Sequence, residues 1–556
     1  MLRRDGERPA HWPVCLVAGE TMNIRRSLLG ILAGAVIASA CTAPSGATAS
    51  GAPSTSAGTS PRRGGTLVVA ASSDPGQLNS AITTAGGTHF VADNLYNGLV
   101  FLDVKLDPKP DLADSWTISA DGKTYTFNLH QGVKWHDGVP FTSADVKFTF
   151  EQVLLKYHSR TKSGLENVLA GIDTPDDNTV VFRFKQPYGP LLQRLDVVEA
   201  PIIAKHIYEG QDVTKADANL KPIGTGPFKL AEYVKGDTIK MVRNPDYFKK
   251  GLPYLDALVF KIIPQSTTQV LSLERGEVDY VSGLSGPDLA RMQTNPNVTL
   301  AKSGAGSGGS FCITTLIYNL TRSPINKVEV RQALAYAIDR KQILEQVYFG
   351  QGKVADSAIN SAITWASNPN VTKYPLDPAK ANQLLDSAGL KKDANGIRFK
   401  LTFVHAQSFA KIGELIKPSL AAIGIDLALT PLEVNAANER TFIAKDFDIG
   451  SASYCNGPDP EIGVRREFVS SNIGPILFSN GASYRNPRVD QLFDLAAAAA
   501  DRAERAKSYF EIQDIIAKDL PDWGLVETEG YRVWPKKFHD LFYWSGDLAE
   551  AAWSDQ

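Results

Sequence analysis

Residues 121–146 read Asp-Gly-Lys-Thr-Tyr-Thr-Phe-Asn-Leu-His-Gln-Gly-Val-Lys-Trp-His-Asp-Gly-Val-Pro-Phe-Thr-Ser-Ala-Asp-Val. Thr124–Leu129 alternates at period two, which is typical of a half-buried strand, and an Asp-Gly turn signal lies on either side. Thr142 precedes Asp145 by three residues, a spacing that favours the capped start of a helix. The segment therefore predicts a strand and a helix in close succession.

The same mixture continues outward in both directions. Thr66–Ala71 and Phe311–Tyr318 are apolar enough to be buried strands. A helix should open at Asp377-Pro378 and stop at Gly389, because Pro suits the first helical turn and Gly the position after the last. A single long helix is predicted near Val489–Lys518. Strands and helices mix throughout, so the fold class is α/β or α+β.

Composition limits the classes of function. The chain has 556 residues, which suits two or three lobes, and its 43% hydrophobic and 21% charged residues are typical of a soluble globular protein. A formal net charge of -2 and the lack of a basic run exclude nucleic-acid binding. Four cysteines in this length rule out a disulfide scaffold.

Motifs for enzymatic chemistry are missing or misplaced. Residues 304–309 satisfy G-x-G-x-x-G, but they precede a strand, whereas a dinucleotide site needs them to follow a strand and open a helix. We interpret them as a hinge between lobes. The sequence has no phosphate-binding P-loop, no G-x-S-x-G and no H-E-x-x-H. We therefore predict no enzyme activity, no cofactor and no metal site.

The N-terminal residues resemble an export address. From Met22 the order is Arg25-Arg26, the apolar run 28–40 and then Cys41, which matches a signal peptide whose apolar run is too short to span a bilayer. Ile37–Cys41 resembles a lipobox, so 22–40 is predicted as a lipoprotein signal and Cys41 as the lipidated residue. Both general and twin-arginine export stay open.

Two flanking segments complete this prediction. Residues 1–21 have no role in such a signal, and we expect them to be untranslated or removed. Residues 41–63 are mostly Ala, Ser, Thr, Gly and Pro, which predicts a flexible tether. The body should lie outside the cytoplasm, anchored to the membrane by lipid, in the periplasm or on the outer face.

Ten segments together resemble one protein family in order and register. They are Gly64–Ala70, Leu95–Val100, Pro110–Trp116, Asp121–Phe127, Gly132–Gly138, Pro140–Val146, Pro222–Phe228, Arg243–Phe248, Gly276–Asp279 and Val330–Leu334. This set is similar to the extracellular solute-binding proteins of family 5, the dipeptide and oligopeptide receptors of ABC importers. The resemblance runs from Gly64 to the C-terminus.

The resemblance implies a type II periplasmic-binding-protein fold with the ligand cleft at the hinge. Lobe I would span 64–305, with an extra subdomain at about 92–215, lobe II 306–525, and 526–556 would return to lobe I. The lobes would close around a peptide or related solute and deliver it to a membrane permease and its ATPase. The protein would act as a monomer.

The resemblance also places the ligand. Peptide-binding relatives carry an aspartate for the ligand ammonium in a segment that corresponds to Ser453–Pro460 here, where Asn456 replaces it. Tyr454 would be an aromatic wall beside Cys455. Asp459 or Glu461 would take the ammonium instead, unless Asp459-Pro460 only turns the chain. Arg465 or Arg466 would hold a carboxylate.

Further candidates follow from the same resemblance. Ser73 and Asn79 follow the first strand, where relatives line the cleft. Cys312 and Cys455 would form a disulfide, as in some family members. Because the ammonium partner is changed, two alternatives stay open: a non-peptide solute (an opine, a glycoside or a metal chelate), or a ligand-sensing receptor outside transport.

Overall fold

The computed structural model describes residues 60–103, 106–284, 286–302, 311–499, 501–542 and 548–555. The predicted signal peptide, Cys41, nearly all of the predicted tether and the glycine-rich residues 303–310 lie outside the described residues. Within the described part, no helix is both long and apolar enough to cross a membrane.

The described residues form strands in both halves of the chain. They are β1 Thr66–Ala71, β2 Val100–Leu102, β3 Pro108–Pro110, β4 Ala113–Ile118, β5 Thr124–Leu129, β6 Leu169–Asp176, β7 Thr179–Phe184, β8 Phe228–Val234, β9 Thr238–Arg243, β10 Ala257–Ile262, β11 Val281–Ser282, β12 Val298–Lys302, β13 Cys312–Tyr318, β14 Gly352–Val354, β15 Phe399–Ala406, β16 Ile425–Leu432, β17 Ile449–Cys455, β18 Asp522–Thr528, β19 Tyr531–Pro535, β20 Phe538–His539 and β21 Trp553–Ser554.

Helices lie between these strands. They are α1 Gly86–Ala92, α2 Ser143–Phe148, α3 Leu155–Tyr157, α4 Ser159–Leu165, α5 Lys205–Tyr208, α6 Ser266–Glu274, α7 Gly286–Gln293, α8 Val328–Ala337, α9 Arg340–Val347, α10 Pro378–Ser387, α11 Ala410–Ala422, α12 Val434–Asn438, α13 Pro460–Gly463, α14 Arg465–Phe468, α15 Pro487–Ala498 and α16 Arg502–Asp519. A π-helical turn, Thr149–Leu154, joins α2 to α3.

Among the described residues the first lobe contains two two-stranded sheets, β2-β3 and β20-β21, and three larger ones. Their strand orders are β1-β10-β9-β8, β4-β5-β7-β6 and β11-β19-β12, so the C-terminal strand β19 returns to the lobe that begins the chain. Along β5 of the four-stranded sheet of β4 to β7, buried side chains alternate with partly buried or exposed ones, as the period-two pattern predicted. Phe538, Leu548 and Ala552 from the C-terminus also join the core of this lobe.

The second lobe is built on one six-stranded sheet with the order β14-β18-β13-β17-β15-β16. Strand β13 lies near the middle and pairs antiparallel with β17 on one side and β18 on the other. Helices α8, α10, α11 and α16 cover the sheet with buried apolar residues. The core of this lobe draws only on residues 316–526, so its sequence is continuous.

The two lobes are joined where paired strands end. In the first lobe Lys302 of β12 lies opposite Tyr531 of β19, and in the second lobe Ile313 of β13 lies opposite Glu527 of β18. The chain therefore leaves and re-enters the first lobe side by side. The chain passes from β18 of the second lobe, which ends at Thr528, to β19 of the first lobe, which begins at Tyr531. The predicted bounds of the lobes stay a prediction.

The sequence-based expectation for the C-terminal helices is wrong in one respect. Where a single helix was expected, Ala499 is extended and the chain starts a new helix at Arg502. The reason is Asp501, whose side chain accepts hydrogen bonds from the backbone N–H of Ala503 and Glu504 and so caps α16. The capped start at Thr142 and the stop at Gly389 are confirmed.

Contact between the lobes is made by a group of arginines that we call the interlobe cluster: Arg194, Arg465 and Arg466. Arg194, from the first lobe, donates to the main-chain carbonyl of Glu461 in α13, and its Nη2 lies 3.7 Å from Glu461 Oε1. In return, Arg465 Nε donates to Ser163 O of α4 at 2.7 Å. All three arginine side chains are buried, and each donates at least one hydrogen bond to the opposite lobe.

Two glycines of Pro222–Phe228 serve close packing. A Cβ on Gly224 or on Gly226 would overlap the main chain of Leu95, whose carbonyl accepts a hydrogen bond from Gly226 N at 2.9 Å. The motif therefore holds the segment before β8 directly against the main chain of Leu95, three residues after the end of α1.

Replacing Gly226 by alanine should lower the free energy of unfolding by about 1–3 kcal/mol, because the added methyl group forces the two segments apart. Urea unfolding measures this effect. The matched control is Gly171→Ala, where nothing lies within 4 Å of the added Cβ and the change should stay within about 0.5 kcal/mol. Equal stability of the two variants would contradict the packing argument.

Substituting Arg194 by methionine should shift the ligand-free protein towards separated lobes, because a guanidinium that bridges them is lost. Small-angle scattering should then give a larger radius of gyration than for the unsubstituted protein. Arg398→Met is the control: this buried arginine donates to Ile423 O and Asn382 Oδ1, all within the second lobe. The control should lose stability but keep its radius, and an unchanged radius in Arg194→Met would refute the role.

Candidate functional site

A cavity of about 330 Å³ lies where the chain passes between the lobes. Its walls come from both lobes and from the return crossing. They are Gly283, Lys302, Phe311, Cys312, Lys353, Asn360, Ser361, Ala362, Glu527, Thr528, Glu529 and Gly530. Its volume lies at the lower end of the roughly 300–1,000 Å³ that small-molecule sites occupy. Because both lobes line this cavity, separation of the lobes would expose it to solvent.

Glu527 is the buried acid of this cavity. It lies near the end of β18, pairs in register with Ile313 and Lys353, and is 6% exposed. Its two carboxylate oxygens accept from Ser361, one from the backbone N–H at 3.0 Å and one from the hydroxyl at 2.6 Å. Burial raises the pKa of Glu527, while the Ser361 donors and the Lys353 charge oppose that shift.

Two lysines stand at the edge of the cavity. Lys302 Nζ is 2.8 Å from Glu529 Oε1, so this pair ties β12 to the return crossing. Lys353 is exposed, and its Nζ lies 3.4 Å from Ser361 Oγ. The cavity therefore offers one buried carboxylate and, at its edge, an ion pair and one exposed lysine.

The loop that holds Glu527 is fixed at successive backbone amides. Asn360 N donates to the side-chain oxygen of Asn456 at 2.7 Å, and the next amide, Ser361 N, donates to Glu527. The Asn360 side chain in turn accepts from Ala362 N at 3.0 Å. These bonds position the wall of the cavity without a ligand.

Asn456 lies behind this wall, as the residue after β17. It is 1% exposed, its N–H donates to Phe311 O at 3.3 Å, and among the described residues no acceptor reaches its Nδ2. Next to it Cys455 is bonded to Cys312, with the two Cα atoms 3.8 Å apart. The disulfide joins β13 to β17 at the end of the sheet that faces the cavity.

Tyr454 and Arg466 form the contact beside that disulfide. The Tyr454 hydroxyl donates to Ser479 O at 2.9 Å, and the Arg466 guanidinium carbon lies 5.3 Å from the centre of its ring. Arg466 also donates to Thr84 Oγ1 of the first lobe at 2.9 Å. Burial, and then the nearby Arg160 charge, lower the pKa of Arg466.

Three predicted ligand contacts have internal partners. Asp459 is bound through both oxygens by Arg505 of α16, at 2.6 and 2.7 Å, and caps α13 through Glu461 N. Glu461 lies between Arg194 and Arg465, and burial raises its pKa to about 7. Arg465 pairs with Asp494 at 2.6 Å. None of the three lines the cavity, so their role as ligand contacts stays a prediction.

The two candidates after β1 are also away from this cavity. Asn79 is fully buried, donates to Asn219 Oδ1 at 2.9 Å and caps the short 3-10 turn Ser80–Ile82. Ser73 is half-buried, and a Cβ on Gly87 would lie 3.2 Å from its hydroxyl oxygen. Sequence reasoning missed Asn360, Ser361 and Glu527, because none of them carries a motif and Glu527 lies 166 residues from Ser361.

Comparison with known proteins shows a consistent relationship. The family model for bacterial extracellular solute-binding proteins, family 5 (middle), matches residues 107–474. Heme-binding protein A of Haemophilus influenzae is 31% identical over 476 residues, which cover 80% of this chain and 84% of that protein. The dipeptide-binding protein of Escherichia coli is 29% identical and covers 82% and 88%.

A solved structure gives the same result for the fold. The periplasmic binding protein DppA from Helicobacter pylori, in complex with the peptide STSA, superposes with a TM-score of 0.79 at 27% identity and covers 89% of this chain and 99% of its own. The predicted α/β class and two-lobe type II fold are confirmed. The chain belongs to family 5 of the bacterial extracellular solute-binding proteins.

Proposed function

We propose that the protein captures a small solute, a peptide of two or three residues in the first instance, and delivers it to an ABC permease for import. The observation that carries this proposal is the cavity at the lobe crossing, with walls from both lobes and a buried carboxylate. A ligand that contacts both walls stabilises the closed form, because its affinity for that form is higher. The relatives that bind dipeptide and the peptide STSA support a peptide.

A non-peptide solute is the second candidate. It is favoured by Asn456, an uncharged amide in the segment where the family resemblance leads us to expect an aspartate. Heme-binding protein A, at 31% identity, supports the idea that the fold accepts other ligands. In either case we propose that the solute is released chemically unchanged and that the protein acts as a monomer.

Titration calorimetry of the purified full-length chain in detergent should reveal one site for some members of a panel of di- and tripeptides, with native mass spectrometry to identify any ligand that co-purifies. A peptide at 100 times its dissociation constant should add about 2.7 kcal/mol to the free energy of unfolding. Free amino acids of the same composition are the matched control. A co-purified non-peptide that competes with the panel would replace the peptide with the second candidate.

We also propose that the protein is exported and held at the membrane by a lipid on Cys41. The support is the order of the basic, apolar and small residues before Cys41 and the composition of the tether after it. Several acyl chains on one residue would hold the body at the membrane stably, whereas one chain would not.

Replacement of Cys41 by serine should move the protein from the membrane fraction to the soluble fraction, because no thiol remains for acylation. Cell fractionation followed by detergent partitioning measures this change. Cys15→Ser is the matched control, since Cys15 precedes the predicted start at Met22, and it should change nothing. Retention of the Cys41→Ser protein at the membrane would contradict the anchor.

A further inference from the structure

Glu527 is a buried carboxylate that forms no ion pair in the part of the chain that the structure describes. Among the described residues no cationic nitrogen lies within 4.0 Å of its oxygens, and its hydrogen-bond partners are the uncharged donors of Ser361. Ionised carboxylates rarely stay so deeply buried without a partner charge, because desolvation is costly. The positive charge of Lys353 acts on Glu527 from a distance, but the Lys353 side chain extends into solvent and its Nζ donates to the Ser361 hydroxyl instead.

The geometry also leaves Glu527 able to accept more. A carboxylate has about four acceptor positions, and Ser361 uses one on each oxygen. Glu527 itself lines the cavity, so its remaining acceptor positions are available to a group that enters there. A donor group that enters the cavity can therefore complete the coordination of Glu527 without displacing Ser361.

The rigidity of the site supports selection rather than chance binding. Ser361 is held in the loop whose preceding amide binds Asn456, and Gly352 of β14 brings that strand close to the Glu527 main chain, where a Cβ would overlap the Glu527 carbonyl. The carboxylate is thus fixed from both its side chain and its backbone. A fixed anion recognises a cation with little further ordering cost.

We infer that Glu527 is the specificity-determining residue of the cavity and that it binds a cationic group of the ligand, a primary ammonium or a guanidinium. This inference rests on the proposed solute-binding function and narrows its substrate class. The ligand places its positive end at Glu527 in the interior, while any anionic end lies towards Lys353 at the edge. Ligands that lack a cation leave the buried carboxylate unpaired and are rejected.

The closing experiment uses the full-length chain and four probes: alanyl-alanine, its N-acetylated form, cadaverine and agmatine. We expect the protein to bind at least one probe with a free amine or a guanidinium. If alanyl-alanine binds, its N-acetylated form should bind at least about 30-fold more weakly, because a buried charge left unpaired costs that much affinity. Equal affinity for alanyl-alanine and its N-acetylated form would overturn the inference while the peptide function stands.

Glu527→Gln tests the residue itself with nearly the same shape. It should weaken binding of the cationic probe at least about 30-fold and remove the preference over the N-acetylated form. The matched control, Glu511→Gln, loses an exposed pair with Arg488 outside the cavity and should change affinity less than about 5-fold. Unchanged affinity in a folded Glu527→Gln protein would overturn the inference. If that variant fails to fold, the probe comparison on the unsubstituted protein still decides.

The outcomes separate the inference from the proposed function. Binding of cadaverine or agmatine, with no binding of any peptide, would reject the peptide function and keep the role of Glu527. Binding of uncharged solutes alone would reject the inference, whatever the transport role.

Discussion

The whole molecule depends on the side-by-side crossing of its two lobes. One lobe is inserted between β12 and β19, which pair with each other in the other lobe. On the far side of the crossing, β13 and β18 pair as well, so both connecting segments are held at both ends. Two adjacent connecting segments of this kind favour rotation of the lobes about the crossing over sliding of one lobe past the other. It also fixes the position of the cavity, because the residues that line it lie in or beside the crossing.

Buried charge makes the contact between the lobes conditional. Arg194 and Arg465 each bond to the main chain of the opposite lobe, and Glu461 lies between them. Guanidinium groups can be hydrated in an open form, so separation of the lobes returns them to water and does not leave them unpaired in an apolar interior. Closure exchanges hydration for these bonds, and such exchanges are close to balanced. A ligand therefore needs to supply only a modest free energy to favour the closed form.

Sequence reasoning was successful where the signal is local or where many weak motifs agree in order. The strands at Thr66 and Thr124, the capped start at Thr142 and the family were found in this way. Asp459 shows the limit: the partner that occupies it, Arg505, lies 46 residues away in the chain, and no local pattern reveals that pair. Asp501 lies inside the single helix predicted near Val489–Lys518, although its side chain caps a new helix there.

The cavity residues could not have been found from spacing at all. Glu527 looks like an alternating residue of a C-terminal strand, and Ser361 like part of a polar loop. Only the pairing of β18 with β13 and β14 places that strand beside the loop. The feature that marks the site is the burial of the Glu527 carboxylate. That burial depends on contacts with residues as far as 166 positions away in the sequence.

The discontinuous first lobe has a consequence for synthesis and export. The second lobe's core is continuous in sequence, so it can form as soon as its own residues have emerged. The first lobe must wait for the end of the chain, because Phe538, Leu548 and Ala552 complete its core, and Glu550 receives Lys249. Late in synthesis, the second lobe can therefore be folded while the first lobe still lacks its C-terminal residues and exposes part of its apolar core. A chaperone would protect the chain most at this stage.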